Sequence, residues 1–353
     1  VIFQVVLFLG GLVVLVTGGH ALVSGASALA RRFGLSPLVI GLTVVAWGTG
    51  APELAVSLGA VMHGQGGMAL GNVVGSNIIN ILGVLGVTAF VAPLVVSRRL
   101  VWRDVPILIS LSFAVFFLGA NGQIGRLGGA LLITAGLVYT VYTIHASRRV
   151  GEARLDDKPR SRAGLTRAGL LVAVGMALLV LGARWMVEAA SAFARDLGVS
   201  DLVVGLTVVA VGTSLPEVAA SLVAAARGQR DMAVGNAIGS NIFNIVYVLG
   251  LTALVAPAGV PVPEPALWFD LPVMIAVAVA CLPIFFGGHR IARWEGGVFL
   301  SYYALYLFFV VLHAEHHAAL PAFNRAMMVF VIPLTVATLG VIVWRELRRR
   351  RAA

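Results

Sequence analysis

Apolar runs of about 20 residues recur along the whole chain, and each is long enough to cross a bilayer core as a helix. They fall at about 1–30, 37–62, 68–92, 104–121 and 126–146. After a hydrophilic stretch, Arg148 to Arg167 (RRVGEARLDDKPRSRAGLTR), they resume at about 168–194, 201–226, 232–256, 270–287, 294–313 and 326–344. The pattern predicts an all-α polytopic membrane protein with five helices, a linker, five more helices and one extra C-terminal helix. As domains this gives 1–147, a linker over 148–167, 168–313, and a final helix with a basic tail over 314–353. Composition agrees: mean hydropathy is +0.99, and 59% of residues are hydrophobic against 11% charged. A soluble globular domain does not have that balance. The first run is too long and continuous for a cleaved signal peptide. The chain opens at Val1 without an initiator methionine, which implies residues upstream.

The formal net charge of +10 changes the picture through its placement. With the N-terminus outside, the inner loops hold 21 of the 25 Lys and Arg residues. These are Arg31 and Arg32, then Arg98, Arg99 and Arg103, seven in the linker, Arg227 and Arg230, Arg290 and Arg293, and five from Arg345 to Arg351. The outer loops hold only Arg126, Arg195 and Arg325, and Arg184 falls within a helix. A bias of this kind orients a protein in its membrane, so no nucleic-acid partner is expected. It predicts an external N-terminus, a cytoplasmic linker and tail, and an odd number of spans. The single cysteine, Cys281, excludes an internal disulfide framework and most thiolate metal sites.

The chain contains one stretch twice. Gly41 to Gly86 and Gly205 to Gly250 align without a gap at an offset of 164 residues, with 29 of 46 positions identical. At the same offset Gly18 matches Gly182, Ala26-Ser27-Ala28 matches Ala190-Ser191-Ala192, and Gly34 matches Gly198. An odd number of helices separates equivalent points, so the halves cross the membrane in opposite senses. Inverted repeats are a transporter architecture, with the binding site at the repeat interface near the midplane. A duplication kept only for packing would preserve apolar faces, whereas here the polar residues are the ones that recur.

Each copy places one acid, Glu53 or Glu217, inside an apolar segment. A charge at the bilayer centre costs at least ~2.5–3.5 kcal/mol on insertion scales, and such residues usually mark an ion pathway. A structural Glu–Arg pair is an incomplete account, because Arg184 is one arginine for two glutamates. Pro52 and Pro216 lack an N–H, which frees the carbonyls of Gly48 and Gly212 and interrupts the helix. Spacing of four puts Thr49 with Glu53, and Thr213 with Glu217, on one helix face. Carboxylate, hydroxyl and carbonyl oxygens are hard ligands, suited to Ca²⁺, Na⁺ or Mg²⁺. In the second half of each copy, Gly71 with Gly75, and Gly235 with Gly239, form small-xxx-small pairs that allow close helix approach. Ser76 with Asn80, and Ser240 with Asn244, lie one turn apart, which would bring them beside the Thr/Glu segments. Hydrogen bonding between helices is the competing role for these Ser and Asn residues.

The doubled GTxxPE and GNxxGSNIxN elements resemble the α-repeats of the calcium/cation antiporter superfamily, specifically its sodium/calcium exchanger branch. The resemblance covers both repeats and leaves out only the last helix. It implies a ten-helix inverted-repeat core, a multi-pass location in a prokaryotic plasma (inner) membrane, and alternating access. The ions transported would be Ca²⁺ against Na⁺ or H⁺, with no enzymatic activity, catalytic residue or cofactor. By position, the implied ligands are Glu53, Thr49, Ser76, Asn80 and the Ala46 carbonyl, with Glu217, Thr213, Ser214, Ser240 and the Ala210 carbonyl from the second half. Asn244 stands where well-known exchangers carry an acid, and Gly50 stands where the family commonly has Ser. Two carboxylates are balanced by one Ca²⁺, whereas three Na⁺ leave an excess charge. Proton/calcium exchange is therefore the alternative, together with a potassium-dependent form. The linker is too short for the regulatory calcium-binding domains of animal exchangers.

His313, Glu315, His316 and His317 cluster at the expected outer end of the tenth helix. His313 and His317 have the spacing of helical metal ligands, which keeps an intramembrane metal-dependent enzyme as a remote alternative. A solvated helix end is the simpler account. His20 and Arg184 occupy equivalent repeat positions, as do Ser24 and Glu188, and packing at the interface accounts for them at this level. The sequence does not specify an oligomeric state.

Overall fold

Glycines in the left-handed region end the helices where the repeat places them. Gly34 and its mate Gly198 have φ of 66° and 82°, and Gly64 and Gly228 have 75° and 76°. Without a Cβ, glycine takes this conformation at little steric cost, so it closes a helix. The computed structural model describes residues 2–150, 162–286 and 289–338, with 340, 344 and 348. The middle of the predicted linker and most of the end of the last helix lie outside the described residues.

The helices in chain order are α1 (Ile2–Phe33), α2 (Pro37–Thr49), α3 (Ala51–Met62), α4 (Gly66–Val91), α5 (Leu100–Gly119) and α6 (Arg126–Val150). The second half repeats them as α7 (Arg162–Asp196), α8 (201–213), α9 (Leu215–Ala226), α10 (Arg230–Val255), α11 (Ala266–Phe286) and α12 (Arg293–Ala314). The extra helix is α13 (Leu320–Thr338). Nine of these are long and apolar enough to cross a membrane, and counting α2/α3 and α8/α9 as bent single spans gives 11.

The halves are inverted in space. Equivalent helices α1 and α7 run antiparallel along a seam of small residues spaced by seven. A Cβ built on Gly11 would lie 2.9 Å from the Gly182 carbonyl, on Gly18 2.7 Å from the Leu179 nitrogen, and on Gly25 2.7 Å from the Ala168 carbonyl. Small residues let backbones touch where the hydrophobic effect supplies no drive between helices. Helices α4 and α10 form the centre, with α12 packed on α4, α6 on α10 and α11 on α5. Helix α13 lies at the edge with no buried residue, and it meets α12 where the Tyr302 and Thr335 hydroxyls touch.

Two features depart from a set of plain helices. Short antiparallel clips, Leu94–Val95 with Arg290–Ile291 and Gln123–Ile124 with Val260–Pro261, join the loops of one half to those of the other. Wide π-type turns also occur, and apart from Met327–Val331 in α13 they come in symmetric pairs among the described residues. They are Gly41–Val45 with Gly205–Val209, Asn80–Leu85 with Asn244–Leu249, and Leu100–Asp104 with Ala266–Asp270. Such turns displace backbone groups from the regular ladder, which a membrane protein tolerates inside its own bundle.

Candidate functional site

The helix breaks sit next to the acids. α2 stops at Thr49 and α3 starts at Ala51, with Gly50 between them at φ −80° and ψ 0°. The second break is Ser214, at φ −93° and ψ 5°. The pieces meet at angles of 43° and 50°. Pro52 and Pro216 fall in the first turn of the following piece, where a missing N–H carries no penalty. This corrects one expectation from spacing: Thr49 and Glu53 do not share a continuous helix face. Thr49 closes α2 and Glu53 opens α3.

Glu53 and Glu217 thus occupy the first turns of α3 and α9, each fully buried. Burial removes both from solvent, and the Glu53 charge acts on Glu217. α3 packs against the wide turn of α10 that starts at Asn244, and α9 packs against the wide turn of α4 that starts at Asn80. The predicted acids and amides therefore converge on one place between the repeats. Both carboxylate oxygens of each Glu, both amide atoms of Asn80 and Asn244, and Ser214 Oγ are buried without a hydrogen-bond partner among the described residues. Arg184 is exposed and pairs with neither acid. Four unpaired carboxylate oxygens in a dry interior are strongly unfavourable unless a cation or protons neutralise them. The donor set is hard oxygen throughout, which fits a Ca²⁺ or Na⁺ ion as cargo.

The two copies are not equivalent here. Thr49 Oγ1 reaches across the repeat interface to Asn236 Oδ1 at 3.2 Å and Ser240 Oγ at 3.4 Å. Thr213 instead donates to the Ala210 carbonyl at 3.1 Å and is half-buried. The Ala46 carbonyl accepts the Gly50 N–H at 3.0 Å in a buried position, while Ala210 is exposed. Ser76 and Ser240 are both buried beside the asparagines. The glycines of the helix breaks serve packing, because a Cβ on Gly48 would meet the Met176 side chain at 2.9 Å and one on Gly212 the Val187 side chain at 1.9 Å.

Sequence reasoning missed a second ring of polar residues. Asn72 Nδ2 donates to the Glu53 carbonyl at 3.1 Å and Ser57 Oγ at 2.9 Å. Asn236 Nδ2 does the same to the Glu217 carbonyl at 3.3 Å and Ser221 Oγ at 3.0 Å. Asn241 Nδ2 crosses between halves to the Asn77 carbonyl at 3.1 Å. All three pairs recur at the repeat offset, and that signal could have found them.

The small-residue pairs also divide. A Cβ on Gly235 would lie 2.7 Å from the Leu38 carbonyl, and one on Gly239 2.6 Å from the Leu42 Cα. Those on Gly71 and Gly75 would meet nothing within 4 Å. The expectation of close approach at both pairs is thus corrected: α2 is seated on α10, while α8 stands off α4. The histidine cluster is likewise dispersed. His317 Nδ1 accepts the Ala319 N–H at 3.1 Å, Glu315 accepts from Ser200 at 2.8 Å, and the His313 ring stacks on Phe309. Among the described residues no group of three or more His, Cys, Asp or Glu side chains is placed to hold a metal.

Comparison with known proteins places this architecture. The profile of the sodium/calcium exchanger protein family matches residues 3–145 and 168–312. The chain is 35% identical over 336 residues to the sodium/calcium exchanger MaX1 of Methanosarcina acetivorans, covering 84% of this chain and 95% of that one. It is 37% identical over 281 residues to the inner membrane protein YrbG of Escherichia coli, covering 77% of this chain and 86% of that one. It also superposes on the sodium-calcium exchanger NCX_Mj, solved without Na⁺ and Ca²⁺, with a TM-score of 0.74 at 30% identity over 89% of this chain and 99% of that one. The inverted halves, the doubled acidic breaks and these matches together show that the chain is a multi-pass membrane protein of the sodium/calcium exchanger family.

Proposed function

We propose that the protein exchanges Ca²⁺ for Na⁺ across a prokaryotic inner membrane by alternating access. The ions would bind in mutually exclusive fashion at Glu53 and Glu217. The observation that carries this reading is the set of four buried carboxylate oxygens, two from each repeat, with no hydrogen-bond partner among the described residues. Either one divalent ion or monovalent ions offset that charge, so the same oxygens serve both cargoes in turn. Thr49, Ser76, Asn80, Thr213, Ser214, Ser240, Asn244 and the Ala46 and Ala210 carbonyls complete the ligand set, with Asn72 and Asn236 fixing the backbone of each acid. The unequal seams support alternating access: α2 is closed on α10 while α8 is parted from α4. With the arginine-rich ends cytoplasmic, the closed seam is the inner one and the site opens outward. The test is radiocalcium uptake into proteoliposomes driven by an outward Na⁺ gradient. Glu53→Gln or Glu217→Gln is expected to reduce uptake to the protein-free rate. Undiminished uptake in the double variant would sink the proposal.

Proton coupling is a second reading, favoured by one observation. The acids are joined by the amides Asn80 and Asn244 and not by further carboxylates, so two protons neutralise the site as fully as one Ca²⁺. Uptake driven by an outward H⁺ gradient in Na⁺-free buffer, compared with Na⁺ and K⁺ gradients, separates these couplings.

A further inference from the structure

α1 is fastened to the chain beyond α9 by a polar cluster. Arg227 donates to Ser24 Oγ and to His20 Nδ1, both at 2.5 Å, and Ser27 Oγ meets Gln229 Oε1 at 2.8 Å. Moving each residue by the repeat offset gives Arg184, Glu188 and Ser191 on α7, and His63 and Gln65 beyond α3. No hydrogen bond or ion pair joins these two sets among the described residues. Ser191 Oγ is buried without a hydrogen-bond partner among the described residues, and His63 Nδ1 turns back to the Gly59 carbonyl at 2.8 Å. The chemistry of the second set nevertheless matches. Serine and glutamine recur unchanged, and the Arg–His contact recurs with its partners exchanged. Glu188 adds a carboxylate that His63 can donate to.

We propose that Glu188 and Ser191 close on His63 and Gln65 as a second latch, formed only when the protein faces the other side. The inference rests on the alternating-access reading. α1 and α7 are locked along their glycine seam, and Gln4 Nε2 ties α1 to Asp196 Oδ2 at 2.8 Å. They therefore move as one body, and a shift that frees Arg227 from α1 carries Glu188 and Ser191 toward His63 and Gln65. One latch opens as the other closes. These are positioning residues: none touches the ion site, and their role is to hold each end state long enough for ions to exchange.

The test uses the full chain in a Cys281→Ala background, reconstituted in proteoliposomes. One variant carries Ser27→Cys with Gln229→Cys, and another Ser191→Cys with Gln65→Cys. Cross-linking by a short bifunctional thiol reagent is timed in Ca²⁺, in Na⁺ and in chelator. Both pairs are expected to react, and the condition that speeds one slows the other several-fold. Glu188→Ala should speed the Ser27/Gln229 pair several-fold, and the exchange Glu188→His with His63→Glu should restore its rate. The proposal is overturned if the Ser191/Gln65 pair never reacts where the Ser27/Gln229 pair does and both variants, before cross-linking, still transport. Equal responses of the two pairs to every condition overturn it as well. Failure of the transport reading shows differently, as wild-type protein without flux, and the cross-linking rates still report on the latch.

Discussion

At the scale of single residues, Gly50 is decided by the other repeat. Its backbone lies in an ordinary region, so no left-handed turn requires glycine. The reason is space: a Cβ there would lie 2.7 Å from the Phe243 ring, which packs in tilted contact with Trp47 and Tyr247. In the second copy the equivalent positions are Ser214 and Ile79. The small residue at 50 thus goes with the large one at 243, and Ser214 with the smaller Ile79. Gly50→Ser should cost about 1–3 kcal/mol by overpacking and slow calcium uptake. Adding Phe243→Ile should restore both, because it recreates the arrangement around Ser214. Thermal unfolding and flux of the single and double variants measure this, and wild-type behaviour of Gly50→Ser would refute the pairing. The asparagines give a second contrast. Asn236 holds Glu217, Ser221 and the Thr49 hydroxyl, while Asn72 holds only Glu53 and Ser57. Asn236→Ala removes one more hydrogen bond than Asn72→Ala, an additional loss of about 0.5–1.5 kcal/mol. It should therefore lower the unfolding temperature more than Asn72→Ala.

At the scale of elements, glycine seams are of two kinds. The seam between α1 and α7 is closed along its length, so Gly18→Leu must push the helices apart. Loss of folded protein in size-exclusion profiles is the expected result. Gly75 belongs to a seam that stands open, with nothing within 4 Å of a built Cβ. Gly75→Leu should keep the yield and melting of the wild type while abolishing exchange, because it blocks closure of α8 on α4. Full uptake by a folded Gly75→Leu variant would show that this seam never closes. The sequence marked the closed pair Gly235/Gly239 and the open pair Gly71/Gly75 by the same small-xxx-small spacing. It could not separate them, because whether a seam is closed depends on tertiary packing and not on spacing.

At the scale of the whole molecule, what was legible depended on whether symmetry or its breaking carried the information. The number of spans, the inverted halves and the convergence of Glu53, Glu217, Asn80 and Asn244 follow from periodicity and a fixed offset, and they appear in the structure. The helix breaks beside the acids were legible in Pro52 and Pro216, whereas the wide turns and the strand clips were not, because they depend on tertiary packing that overrides local spacing. Orientation is set by charge, which makes it a separate question for experiment. With 21 of 25 cationic residues in loops that the span pattern assigns to one side, the potential and the anionic inner leaflet both favour that side in the cytoplasm. Asn121 lies in the arginine-poor loop between α5 and α6, and Arg290 in an arginine-rich clip. In the Cys281→Ala background, a membrane-impermeant thiol reagent added to intact cells should label Asn121→Cys and spare Arg290→Cys until the cells are lysed. The reverse labelling would place the closed α2–α10 seam outside, and the state described here would then release its ions to the cytoplasm. Since the seams alone define which side is open, this one measurement fixes the direction of access for the whole structure.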